Sequence, residues 1–173
     1  IKRLALHEVG HTLGLNHNFK GSYLHNNQDV HNPEITGKVG VTASVMEYPA
    51  INLAPLGVEQ GDYYDTIPGP YDIWAIKYGY TPNLSEDELA AIIAEEIKAE
   101  HMFANDSEDM RSPGRGIDPR AMINDLTNDP ITYAINRIEL LNHTQDNIVP
   151  RLADRVETFE EYRLALSVFM REY

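Results

Sequence analysis

The sequence predicts a mainly α-helical chain, and three observations carry that prediction. Apolar residues recur at helical spacing in several segments, helix-start signals precede those segments, and runs with strand-like alternation are few. The chain has 173 residues, 42% of them hydrophobic, which is enough to bury a core without the disulfides that its lack of cysteine excludes. Zero cysteines also remove thiolate metal sites and cysteine nucleophiles.

A helix is expected over about 1–13, then a long stretch rich in Gly and Asn to 43 with a short strand near Val39–Thr42. A loop rich in Pro and Gly covers 49–69. Pro70 opens a helix over about 70–79, with Ile73, Trp74 and Ile76 as its buried stripe and Gly79 as its stop. Ser85 and Glu88 form a capping box for a helix to about Phe103, apolar at Leu89, Ile92, Ile93 and Ile97 and acidic opposite. Residues 104–130 read as surface loop, with turns at Ser112-Pro113-Gly114 and Asp118-Pro119. Asp129-Pro130 starts a helix through about Leu141. Pro150 separates that helix from the C-terminal segment, where Thr158 and Glu161 cap a last amphipathic helix to the end of the chain. The natural division is 1–80 against an acidic helical extension, 81–173.

The net charge is −13, and residues 81–130 alone supply −8 of it. Such a balance argues against nucleic acid and anionic lipid as partners. No apolar run approaches the roughly 18 residues of a membrane span. The cluster Asp106, Glu108, Asp109 lacks the spacing and glycine of a calcium loop and reads as solvated.

The chemistry is concentrated near the start, where His7-Glu8-Val9-Gly10-His11-Thr12-Leu13-Gly14-Leu15-Asn16-His17 reads H-E-x-x-H-x-x-G-x-x-H. At these residue frequencies a chance match is on the order of one in ten thousand. On a helix, His7 and His11 share one face and can bind one Zn²⁺. Glu8, rotated by about 100°, is placed to reach a water on the metal, the position of a general base. An unbroken helix would carry His17 about 120° off that face, so the helix must stop, and Gly14 is the stop because glycine reaches positive φ freely. Three nitrogen ligands with a vacant fourth position make a catalytic zinc arrangement. His25, His31, His101 and His143 are expected to stand outside it as solvated side chains.

The extended motif resembles that of the metzincin zinc endopeptidases, whose second signature is a turn bearing a methionine beneath the metal. Ser44-Val45-Met46-Glu47-Tyr48-Pro49 stands at the matching place, 29 residues past His17 for the methionine. The resemblance implies that Met46 packs under the imidazoles without ligating zinc. It implies that Tyr48, as in the astacin and serralysin branches, can approach the metal and stabilise the oxyanion. It also makes 70–79 the supporting helix and the loop 49–69 the wall of the pocket for the side chain after the scissile bond.

His17-Asn18-Phe19-Lys20-Gly21-Ser22 and the string from Gly61-Asp62-Tyr63-Tyr64 into that helix look most like the met-zincins, a family of large bacterial zinc-dependent metalloproteases. The resemblance implies hydrolysis of a peptide or protein substrate by a zinc-bound water that Glu8 activates, in a secreted or cell-envelope setting. Other readings of the same residues are a truncated or degenerate module that keeps zinc for stability and docks a partner, or a non-proteolytic zinc hydrolase.

The opening Ile1-Lys2-Arg3-Leu4-Ala5-Leu6 has neither initiator Met nor signal pattern and reads as cut from something longer. Metzincins place a sheet subdomain before the motif helix, and the expectation here is its absence. The face of Ile1, Leu4 and Ala5 is then either an exposed apolar patch or covered in a dimer.

Overall fold

A computed structural model describes residues 1–111, 116, 118–153 and 155–172, so the expected turn at Ser112-Pro113-Gly114 lies outside the described residues. Among those described there is no strand, and six α-helices carry the fold: α1 Lys2–Thr12, α2 Pro33–Val39, α3 Pro70–Tyr80, α4 Glu86–Ala94, α5 Pro130–Ala153 and α6 Phe159–Met170.

The strand expected at Val39–Thr42 is replaced by α2 and a turn. Asn32 caps α2 by accepting from the Glu34 N–H, with Pro33 at the first helical position, and Gly40 ends it at φ +90°. The N–H groups of Val41 and Thr42 then donate to Asp65 Oδ1 at 2.7 and 3.0 Å. A side-chain carboxylate thus takes the place of a partner strand.

Asp72, in the first turn of α3, fastens the preceding chain to that helix. Its carboxylate accepts from Gly69 N at 2.9 Å, Ser44 Oγ at 2.5 Å and Val45 N at 2.8 Å. Gly69 is required there, because a Cβ would stand 2.1 Å from the Ala43 carbonyl oxygen. The buried residues of α3 are Tyr71 and Asp72; of the expected stripe Trp74 and Ile76 are half-buried, whereas Ile73 is 62% exposed. Helix α3 also runs one residue past Gly79, whose flexibility is not what ends it.

Helix α4 stops at Ala94 and gives way to two short 3₁₀ turns, so the long helix expected to Phe103 is broken and Ile97 is left exposed. Aromatic contacts explain the break. The Trp74 indole donates to Ile92 O at 2.8 Å and stacks on His101 at 5.0 Å, while Tyr71 stacks on Phe103 at 5.6 Å. A straight helix would carry those partners away from α3.

Helix α5 continues past Leu141 and through Pro150, where a break was expected. Its more buried positions, Tyr133, Arg137, Leu140, Leu141, Thr144, Ile148 and Leu152, keep one stripe across the proline. Tyr133 Oη donates to Ile51 O at 2.8 Å, and Arg137 Nη1 donates to the same carbonyl at 2.8 Å, so α5 grips the segment after Tyr48. The core cluster of Val30, Val41, Ala50, Leu126 and Tyr133 joins residues from both sides of position 80.

No helix among the described residues is long and apolar enough to cross a membrane. Ile1 and Leu4 are exposed, uncovered by the described residues after position 80.

Candidate metal centre

Helix α1 is built to end where the site needs it. Leu13 caps it, the Leu15 N–H returns to Gly10 O and the Gly14 N–H to His11 O, both at 3.0 Å, which is the Schellman arrangement. Gly14 lies at φ +85°, the conformation the motif reading requires. The reversal brings His17 back: His7, His11 and His17 each place one ring nitrogen within 4.8 Å of the others. Ring centroids are separated by 4.8, 5.4 and 4.9 Å for the pairs His7–His11, His7–His17 and His11–His17.

The outward nitrogens are all tied down. His7 Nδ1 meets Val45 O at 2.7 Å, His11 Nδ1 meets Leu15 O at 3.0 Å, and His17 Nδ1 meets both Asp106 carboxylate oxygens at 2.9 Å. Carbonyl and carboxylate oxygens only accept, so each Nδ1 carries a proton, and in the neutral ring each Nε2 then keeps its lone pair. Burial lowers the pKa of His7, assisted by the neighbouring His11 and His17, which favours the neutral, ligating form. His7 Nε2 is buried with no hydrogen-bond partner. An orphaned lone pair facing two further imidazoles is the polar deficit that a Zn²⁺ ion satisfies, and the donor set suits that metal.

The other predicted residues surround this cluster. Tyr48 Oη donates to His17 Nε2 at 3.1 Å, and its ring lies 4.9 Å from those of His7 and His17. Met46 is fully buried at the third position of a turn closed by Glu47 N donating to Ser44 O at 3.2 Å. A Cβ on Gly10 would come within 2.3 Å of Met46 Sδ, so α1 lies directly on the thioether. Glu8 follows His7 on α1 and is exposed.

Two contributors are not visible in the sequence pattern. Arg3 donates through Nη2 to Glu47 O at 2.6 Å and lies 6.0 Å from the centre of the Tyr48 ring, tying α1 to the turn. Asp106 is the anchor of His17, although its acidic cluster was expected to be only solvated. The neighbours Glu108 and Asp109 instead hold Asn105 N and Arg111. His25, His31 and His101 are buried, not solvated: His25 Nε2 meets Gly40 O at 2.8 Å, His31 stacks on Tyr133, and His101 stacks on Trp74.

An apolar groove of about 640 Å³ runs along the other side of α1, lined by Leu6, Val9, Leu13, Ile73 and Ile76 and by none of the three histidines. Its lining is mostly aliphatic, with Asp72, Lys77 and Thr81 among it, and it stands apart from the histidine cluster.

No curated protein and no solved structure matches the chain. The Met-zincin family matches residues 1–173. A match over that whole length, on a chain whose three histidines converge, makes this protein a member of the Met-zincin family and a zinc-metallopeptidase-like module.

Proposed function

We propose that this chain carries the catalytic centre of a zinc endopeptidase. The observation that supports it most is the gathering of three imidazoles within 4.8 Å, each turned by an acceptor on Nδ1, with the buried Nε2 of His7 left without a partner. His7, His11 and His17 would hold Zn²⁺ through Nε2. When bound, zinc supplies a Lewis acid that polarises a peptide carbonyl and makes a water acidic near neutral pH.

The remaining work falls to side chains. Glu8 takes a proton from the attacking water on its carboxylate and delivers it to the departing amine nitrogen. Tyr48 Oη, beside His17 Nε2, is in position to turn its hydrogen toward the oxyanion that develops on the carbonyl. Met46 and Gly10 form a closely packed floor that keeps α1 at a fixed height. Asp72 fixes that floor to α3 through Ser44 and Val45.

Glu8→Gln keeps the size of the side chain and removes the base. The expected outcome is full zinc content by elemental analysis with a loss of at least about a hundredfold in peptide cleavage. Undiminished cleavage by the zinc-loaded variant would exclude Glu8 as the base.

A further inference from the structure

The three ligands are not anchored alike. His7 and His11 lean on main-chain carbonyls, of Val45 and Leu15, whose positions the helix end and the turn already determine. His17 lies beyond the helix, in an irregular stretch, and its Nδ1 leans on a side chain 89 positions away. We propose that Asp106 is a positioning residue of the metal centre, selecting the tautomer and direction of His17, so that the acidic segment after His101 is a working part of the site. This rests on the reading of the triad as a zinc site.

The contact is built on both sides. Asn18, fully buried next to His17, donates through Nδ2 to Met102 O at 3.0 Å and accepts from Ala104 N at 3.2 Å, and Phe19 N donates to Ala104 O at 2.8 Å. These bonds set the segment 102–104 against residues 18–19, immediately before Asp106. Ser107 then donates to Asn105 Oδ1 through N and Oγ, and Asn105 N donates to Glu108 Oε2, which shapes the loop around the carboxylate. The Asp106 side chain is 67% exposed, and so exposed a pair adds little to the stability of the fold. What it does add is orientation: a carboxylate on the far nitrogen of a ligating imidazole holds the ring and raises its basicity toward a metal. The separation of these two effects makes the role testable.

Zinc affinity is measured by competition with a chromophoric chelator on the wild-type protein and on Asp106→Ala, Asp106→Asn and Asp106→Glu. Asp87→Asn, a charge removed from the exposed first turn of α4, is the control. Expected are about a 10- to 100-fold weaker affinity for the alanine variant, partial rescue by glutamate, and a control within about twofold of wild type. The visible spectrum of the Co²⁺-loaded protein should change in Asp106→Ala while the melting curve of the metal-free protein does not. If the alanine variant fails to fold, Asp106→Asn, which keeps shape and one acceptor, carries the comparison. Wild-type affinity and an unaltered Co²⁺ spectrum in a folded Asp106 variant would overturn this role and leave the zinc site standing. A wild-type protein without zinc affinity would overturn the site as well.

Discussion

At Gly14 the chain adopts φ +85° with nothing within 4 Å of where a Cβ would be, so a side chain there meets backbone strain and no neighbour. That strain costs roughly 1–2 kcal/mol for an L residue. Gly14→Ala should therefore lower the unfolding free energy by about that amount, with Gly14→Asn milder, as read by chemical denaturation. Zinc affinity should fall with it, because the same turn returns His17. Equal stability of the alanine variant and wild type would show that the reversal is not under this constraint. At this scale the sequence is most legible where one helix and its end decide the outcome: the intervals between His7, His11, Gly14 and His17 are fixed by 3.6 residues per turn and one positive φ. It is silent on Asp106, because nothing in the spacing of Asp106, Glu108 and Asp109 distinguishes the acid that meets an imidazole from those that meet an arginine or a backbone N–H.

Elements depart from their sequence pattern where a side chain replaces a backbone partner. Val39–Thr42 has strand composition, yet the N–H groups of Val41 and Thr42 end on Asp65, and local pattern carries no information about a carboxylate more than twenty residues later. Helix α5 is longer than its sequence suggests because Pro150 reads as a breaker, whereas the apolar stripe continues to Leu152.

Asp65 also makes a pH-dependent prediction. Burial pushes its pKa up to about 6, against which the bonds from Thr42 and Val41 act in the other direction. Thr42 Oγ1 lies 2.7 Å from Ser44 O and 2.8 Å from Asp65 Oδ2, and its single proton cannot serve both. A protonated Asp65 resolves this by donating to the hydroxyl. A carboxyl whose pKa is raised on folding contributes stability that is full below the unfolded value of 3.8 and is lost as pH rises toward about 6. Relative to Asp65→Asn, wild type should thus lose about 2 kcal/mol between pH 4 and pH 6.5 in urea titrations. A constant difference across that range would rule out the shifted titration.

The whole molecule holds its site from loops as much as from helices. The core cluster, the Asp72 bonds and the α5 grip on Ile51 involve none of the three histidines. Chelation should therefore abolish peptide cleavage while leaving far-ultraviolet circular dichroism intact, with only a modest drop in melting temperature set by mass action. Collapse of the helical signal on chelation would instead favour a zinc that serves stability, and with it a docking role for the module. The mainly helical character is legible from periodicity and capping boxes such as Ser85–Glu88, found in place at the start of α4. The way the segments after position 80 wrap back onto α3 and the turn is not, since it depends on ring stacking between residues such as Trp74 and His101.

The distance along the chain between His17 and its anchor has a consequence for biosynthesis. With 89 positions between the two, a ribosome adding about 5–20 residues per second emits the complete histidine motif some 4–18 s before the aspartate that steadies its last member. Until Val45 has been added only His11 has its acceptor, and from then until Asp106 follows His17 alone lacks one, which leaves the cluster a weak trap for cations. Delayed completion of this kind would keep the proposed metal centre from closing until the segment that carries Asp106 has been made.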